Sequence, residues 1–132
     1  EGSMIRAREL RFVLVTDDYD AVAHLFRGVF GLETLMDLEG QGGRGVILRL
    51  PTATLELVDA EHDRMVDEIE VGEPQGNRMR IAVEVEDLAR ASEAVTGAGA
   101  QALAPPVDTP WGDRNQRFTA KDGLQLTLFQ PA

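Results

Sequence analysis

Two arginines and one glutamate occupy strand-like positions from which they could act together: Arg11 in the run Leu10 to Val15, Arg80 in Met79 to Val85, and Glu56 in Thr54 to Val58. Side chains alternate across a strand, and the partners of each of these residues form an apolar row, so all three should point to one face. A guanidinium–carboxylate cluster does one of two things there. It neutralises itself in a buried place, or it clamps an anionic or polar ligand through bidentate hydrogen bonds. Trp111 is the sole tryptophan and follows Pro110 in a loop, where an indole offers a flat stacking surface or a loop anchor. Phe118, Thr127 and Phe129 lie on strand candidates that could line the same space.

Support for catalysis is thin. The chain has no cysteine, two histidines (His24 and His62) and one lysine, Lys121, placed in a turn. No nucleophile paired with a base can be argued from these, and the general-base candidates reduce to Glu56 and Glu84. His24 falls on a helix beside its apolar stripe. His62 falls in an acidic connector among Glu61 and Asp63, where surface exposure is expected.

Behind these residues stand two copies of one plan. Asp18 to Phe30 carries Val22, Leu25, Phe26, Val29 and Phe30 at helical spacing, with Asp18 as cap and Gly31 as terminator. A second helix is expected from Leu88 to Thr96, capped by Asp87. Both caps and both arginines, Arg11 and Arg80, are related by the same offset, 87 − 18 = 80 − 11 = 69 residues, which points to duplication. Strands are expected at Glu33 to Leu38, Gly45 to Leu50 and Thr54 to Val58 after the first helix. After the second they fall at Gln101 to Ala104, Asn115 to Thr119 and Leu124 to Phe129, the last two joined by a Lys121-Asp122-Gly123 turn. The expected fold is α+β, two tandem βαβββ modules forming a curved mixed sheet. Residues 1–4 read as a cloning remnant and 5–132 as one domain, with modules at 8–60 and 78–130 and a connector at 61–77 containing one short helix. The rows Phe12 and Leu14, Leu55 and Leu57, Met79, Ile81, Val83 and Val85, and Leu124, Leu126 and Leu128 should lie under the helices.

Three stretches resemble the vicinal-oxygen-chelate superfamily of glyoxalases, bleomycin-resistance proteins and extradiol dioxygenases. They are the helix end Leu25-Phe26-Arg27-Gly28-Val29-Phe30-Gly31-Leu32, the strand Thr54-Leu55-Glu56-Leu57, and Thr109-Pro110-Trp111-Gly112-Asp113-Arg114 followed by Lys121-Asp122-Gly123. The resemblance implies a cup whose metal-using members draw one ligand from each of four strands. Those places fall here on Arg11, Glu56, Arg80 and Thr127. Arginine stays protonated and has no lone pair to give, so two of the four places would repel a divalent ion, and no metal or other cofactor is expected. The resemblance also implies homodimers with ligand clefts at the subunit interface, and a loop tryptophan that stacks on a planar group.

Formal charge is −10, from 23 acidic and 13 basic residues. Such a field disfavours nucleic acid and is compatible either with solubility alone or with a cationic ligand. With 132 residues and 43% hydrophobic content the chain can bury a core, and no apolar run approaches membrane-spanning length, so a cytoplasmic location is expected. The function these residues favour is metal-free binding of a small molecule, planar or cationic, at Arg11, Glu56, Arg80, Trp111, Phe118, Thr127 and Phe129. Two alternatives remain: a glyoxalase- or dioxygenase-type enzyme using atypical ligands such as Glu56 and His62, and a structural or regulatory module.

Overall fold

A computed structural model describes residues 5–29, 31–40, 42–120 and 123–132. Nine strands form one mixed sheet: β1 (Ala7–Thr16), β2 (Thr34–Asp37), β3 (Gly45–Arg49), β4 (Thr54–Asp59), β5 (Met79–Val85), β6 (Gln101–Ala102), β7 (Val107–Asp108), β8 (Arg114–Thr119) and β9 (Gln125–Gln130). Their spatial order is β2-β3-β4-β1-β5-β9-β8-β6, with β7 also paired to β8. The expected fold class is the observed one: each half contributes four adjacent positions, and the halves meet where β1 and β5 run antiparallel.

The register at that seam expresses the duplication. Arg11 lies opposite Ala82, Val13 opposite Arg80, and Phe12 opposite Ile81. Adding 69 to the first member of one outer pair and subtracting it from the second gives the other pair, so a pseudo-twofold axis passes between Phe12 and Ile81. The outer strands follow suit, with β1 parallel to β4 and β5 parallel to β9.

Alternation sorts most side chains as anticipated, but Met79 and Leu124, expected under the helices, stand 54% and 47% exposed. On one face, Tyr19 and Ala23 of α1 (Tyr19–Ala23) pack on Val46, Leu48, Leu55 and Leu57, while Leu88 and Ala91 of α3 (Leu88–Gly97) pack on Val85, Phe118 and Leu128. On the other face, Val13, Val15, Val58, Ala82 and Phe129 form a smaller apolar strip along the seam. Asp18 and Asp87 cap α1 and α3 through the backbone N–H groups of Ala21 and Arg90.

Three local expectations need correction. The first helix is not α-helical throughout: after Ala23 it continues as a π-helical turn, His24–Val29, with Leu32 N–H closing onto the Phe26 carbonyl. A π turn takes in more residues than an α turn and rotates the positions beyond it, so Val29 leaves the stripe and stands 62% exposed. Phe30 and the Leu25 side chain lie outside the described residues, as do Lys121 and Asp122. The expected strand at Gln101 to Ala104 is shortened to β6, and pairing with β8 resumes only at an unexpected β7, because Pro105 and Pro106 between them supply no N–H for the ladder.

The third correction is the largest. Most of the connector is an eleven-residue helix, α2 (Ala60–Glu70), set on the face opposite α1 and α3. Asp59 caps it, accepting from His62 N–H at 2.8 Å. Its buried residues are His62, Asp63, Val66, Asp67 and Glu70, one face of a helix composed mainly of charged groups. The loop before β3 fits closely against its first turn. Gly43 has φ +70°, and a Cβ there would collide with the Asp59 carboxylate and the His62 backbone nitrogen. Gly43→Ala should therefore cost about 2 to 4 kcal/mol from left-handed strain plus the clash, read as a lower midpoint in urea unfolding. A loss below about 0.5 kcal/mol would show that this contact does not hold α2 in place.

Candidate ligand cavity and its buried ion-pair wall

The face bearing α2 is concave, and α2 closes part of it. Against the second module it forms a dense polar wall. Arg80 Nη1 donates to Asp63 Oδ1 at 2.9 Å, and Arg117 Nη1 stands 3.0 Å from Asp67 Oδ1. Arg117 Nε donates to Glu70 Oε1 at 2.8 Å and to Thr127 Oγ1 at 3.1 Å, while Asn115 Nδ2 donates to Glu70 Oε2 at 2.7 Å. Thr127 in turn donates its hydroxyl proton to Glu70, and Arg117 Nη1 reaches Gln125 at 2.7 Å.

Arg117 is fully buried, and Arg80 is 5% exposed. Charges this deep persist only when paired and hydrogen bonded. Burial alone would push the Arg80 guanidinium down, but Glu70, Glu56 and Asp63 outweigh it and hold its pKa above the ordinary value. Burial raises the Asp63 carboxyl, with Arg80 opposing. Three carboxylates on α2 thus face two guanidinium groups. Arg80 Nε, Arg117 Nη2, Asn115 Oδ1 and Gln116 Oε1 are buried without a hydrogen-bond partner among the described residues.

Beyond the wall lies a cavity of about 120 Å³. Its apolar lining includes Val13, Leu38, Ile47, Val66, Ala82 and Phe129, and its polar lining includes Arg11, Glu56, His62, Trp111 and Asp113. Arg11 lies over the Phe129 ring, 4.7 Å from its centroid, and donates to Glu9 at 2.8 Å and to the Thr54 hydroxyl at 3.1 Å. Glu56 comes no closer to Arg11 than 3.9 Å and accepts no hydrogen bond from the described residues. Trp111 is fixed by a turn in which Gly112 N–H donates to the Thr109 carbonyl, with Pro110 in the position that favours it. The Thr109 hydroxyl bridges to Asp113 on both sides, accepting from its N–H and donating to its carbonyl.

Of the seven residues expected at the site, six line this cavity or its floor: Arg11, Glu56, Arg80, Trp111, Thr127 and Phe129. Phe118 does not. Its parity on β8 places it under α3, fully buried with Val85 and Leu128. The anticipated single cluster of Arg11, Glu56 and Arg80 is instead divided, since Arg80 takes Asp63, Arg11 takes Glu9, and Glu56 keeps open oxygens. His62 was expected at the surface and is 2% exposed in the cavity wall, its Nδ1 2.8 Å from the Gly42 carbonyl. The parity of the strands pointed to most of the site, but α2's contribution carried no apolar signal. Asp59 as a cap, followed by His62, Val66 and Glu70 at four-residue spacing, was the available clue.

A duplicated βαβββ sheet curved around a cavity defines the class of fold. The chain belongs to the Glyoxalase/Bleomycin resistance protein/Dioxygenase superfamily, whose family model matches residues 10–128. Among solved structures it is similar to a hypothetical protein, BH1468, from Bacillus halodurans C-125 (18% identity, TM-score 0.69, covering 97% of this chain and 95% of that one). It is similar also to Streptomyces coelicolor methylmalonyl-CoA epimerase (Q60A) in complex with 2-nitronate-propionyl-CoA (20% identity, TM-score 0.69, covering 98% and 99%). A superfamily member from Vibrio splendidus 12B01 aligns at 15% identity and TM-score 0.63, over 96% of this chain and 99% of that one. At these identities the likeness is one of fold. No curated protein matches the sequence.

The metal centre implied by the resemblance does not fit these residues. Arg11 and Arg80 bring protonated guanidinium groups to two of the four places, and Thr127 is held by Glu70 and Arg117. Among the described residues no three histidine, cysteine, aspartate or glutamate side chains are grouped to hold an ion. Purified protein should accordingly contain well under one equivalent of Zn, Ni, Fe or Mn by elemental analysis; close to one per chain would contradict this assignment of the four places.

The wall makes a second, contrasting prediction. Glu70→Ala strips Arg117, Asn115 and Thr127 of their shared acceptor and should cost about 3 to 5 kcal/mol in urea unfolding. Glu56→Ala removes a 3.9 Å pairing with Arg11 and one of the carboxylates that support Arg80, but no hydrogen bond among the described residues, and should cost about 1 to 2 kcal/mol, less than Glu70→Ala. Equal losses in the two variants would show that the α2 wall is not the stabilising element described.

Proposed function

We propose that this protein is a metal-free, small-molecule-binding member of its superfamily, holding a planar guest in the cup against Trp111. The observation that carries the reading is the indole itself, positioned by the Thr109–Gly112 turn at a mostly apolar cavity that opens beside unpaired polar groups. An orientation set by the protein's own turn spares the ligand the entropy of ordering its platform. A cavity near 120 Å³ suits a single ring, since a cavity of about 150 Å³ is known to admit benzene. The acidic field of the chain weighs against nucleic acid as a partner, and among the described residues no helix is long and apolar enough to cross a membrane.

The functional unit in this reading is a cytoplasmic homodimer. β2 is a terminal strand of the sheet, exposed along its length, and presents Leu35 and Met36, at 41% and 52% exposure, where a second chain could cover them. Met36 also lines the cavity, so a partner at this edge would help to close it. The lining described above comes from one chain, however, because β1 and β5 join the halves within it. The ligand cleft therefore does not require a subunit interface for its floor.

An enzyme using Glu56 and His62 as unusual metal ligands is the rival reading, favoured by their presence in one cavity. It needs a third protein donor beside them, and none is grouped with them among the described residues.

A thermal-shift screen of aromatic metabolites and antibiotics tests the proposal, because a ligand at 100 times its Kd stabilises by about 2.7 kcal/mol. For a hit, Trp111→Ala should weaken binding about three- to thirty-fold with the melting temperature of the free protein little changed. The same hit should alter Trp111 emission. A calorimetrically confirmed ligand that leaves emission and Trp111→Ala affinity unchanged would remove the platform role, and a screen without hits would remove the binding function.

A further inference from the structure

We propose that the cup selects a planar organic cation rich in N–H donors, an amidinium or guanidinium on a flat frame, and that His62 of α2 is a residue that reads it. The proposal rests on the small-molecule reading above and adds the chemical class of the guest.

The charges around the cavity do not cancel. Arg80 is paired with Asp63 and Arg11 with Glu9, at 2.9 and 2.8 Å, and Glu70 is committed to Arg117. What remains is acidic. Glu56 and Asp113 both line the cavity, and neither carboxylate accepts a hydrogen bond from the described residues. Burial raises the Asp113 carboxyl, with Arg11 opposing and Glu9 reinforcing.

His62 adds a third acceptor, and its orientation is set by the protein. A carbonyl oxygen only accepts, so the 2.8 Å contact with Gly42 fixes Nδ1 as the donor and leaves the lone pair of the neutral ring on Nε2. Nε2 has no hydrogen-bond partner among the described residues, and this 2% exposed residue lines the cavity.

Three acceptors could suit a metal ion only if they converged on one point at roughly 2.0 to 2.5 Å. They do not form such a group among the described residues. Acceptors spread around a ring-sized, partly aromatic space suit a cation whose charge and N–H groups are spread over a plane. Trp111 supplies the face such a cation favours.

The test uses benzamidinium and its isosteric anion benzoate, titrated calorimetrically into the full chain with Trp111 fluorescence as a second readout. Benzamidinium should bind at least about tenfold more tightly than benzoate, the difference made by one charge-assisted hydrogen bond. His62→Asn keeps a donor for the Gly42 carbonyl but deletes the acceptor at Nε2, and should weaken benzamidinium by about five- to twentyfold. His62→Gln, which can return an acceptor to the Nε2 place, should stay within about threefold of the natural protein. Glu56→Gln removes the charge at nearly constant volume and should cost about tenfold, independently of how the His62 variants fold. Benzoate binding as tightly as benzamidinium, or unchanged affinity in His62→Asn or Glu56→Gln, overturns the proposal. If benzamidinium does not bind while the metabolite screen yields a ligand that alters Trp111 emission, this inference fails alone. If neither binds, the small-molecule reading fails with it.

Discussion

The contact on which the rest of this molecule depends is the acidic face of α2 laid over the arginines of the sheet. Arg11 and Arg80 project from adjacent central strands on one face, flanking the pseudo-twofold axis, and Arg117 follows two strands away. Like charges on neighbouring strands repel, and the concave face offers less water than a free surface. Anions must be supplied from somewhere. Glu9 supplies Arg11 from its own strand, while Asp63, Asp67 and Glu70 supply Arg80 and Arg117 from a single helix, spaced so that consecutive turns meet successive guanidinium groups. Removing a well-paired buried charge network in favour of apolar residues can leave stability unchanged, so its value here lies in placement: it ties the connector to the second module in one register.

How much of this is legible from the chain depends on which signal each part emits. The sheet was legible because alternation leaves apolar rows such as Phe12 and Leu14 or Leu126 and Leu128, and because Asp18, Asp87, Arg11 and Arg80 share one offset. The site residues followed by parity, and Phe118 departed for the same kind of reason. It is one residue out of phase with Arg117 and so belongs to the α3 side. The π turn after Ala23 was not legible, since periodicity assumes a constant 3.6 residues per turn and Val29 fits that assumption in sequence though not in space. α2 was least legible. A helix that buries Asp63, Asp67 and Glu70 has the composition of an exposed one, and only the arginines across the gap, 17 to 50 residues away in sequence, give those charges a reason to be inside.

His62 shows the same limit at the scale of one side chain. Its flanking acids, Glu61 and Asp63, suggest solvent, yet Glu61 is exposed while Asp63 turns inward to Arg80 and carries its neighbour with it. The ring is then held by a carbonyl of the Gly42-Gly43 loop, whose close approach to α2 only a glycine at 43 allows. A backbone requirement in one module thus sets the hydrogen-bonding character of an atom in the cavity.

Duplication followed by asymmetric cover explains why the two halves of the cup are not equivalent. Arg11 and Arg80 are related by the pseudo-twofold axis, and Glu56 corresponds to Thr127 by the parallel registers of β4 on β1 and β9 on β5, where they lie opposite Val13 and Ala82. A symmetric sheet would give both pairs the same surroundings. α2 breaks that equivalence by spending its carboxylates on the second half: Arg80 and Thr127 are locked into the wall, with their hydrogen-bonding capacity directed at Asp63, Glu70 and Arg117. The first half keeps Arg11 partly exposed over Phe129 and leaves Glu56 open. Arg80 and Thr127 thus meet the cavity from within the wall, whereas Arg11 and Glu56 meet it outside the wall, and the division follows from where one helix came to rest.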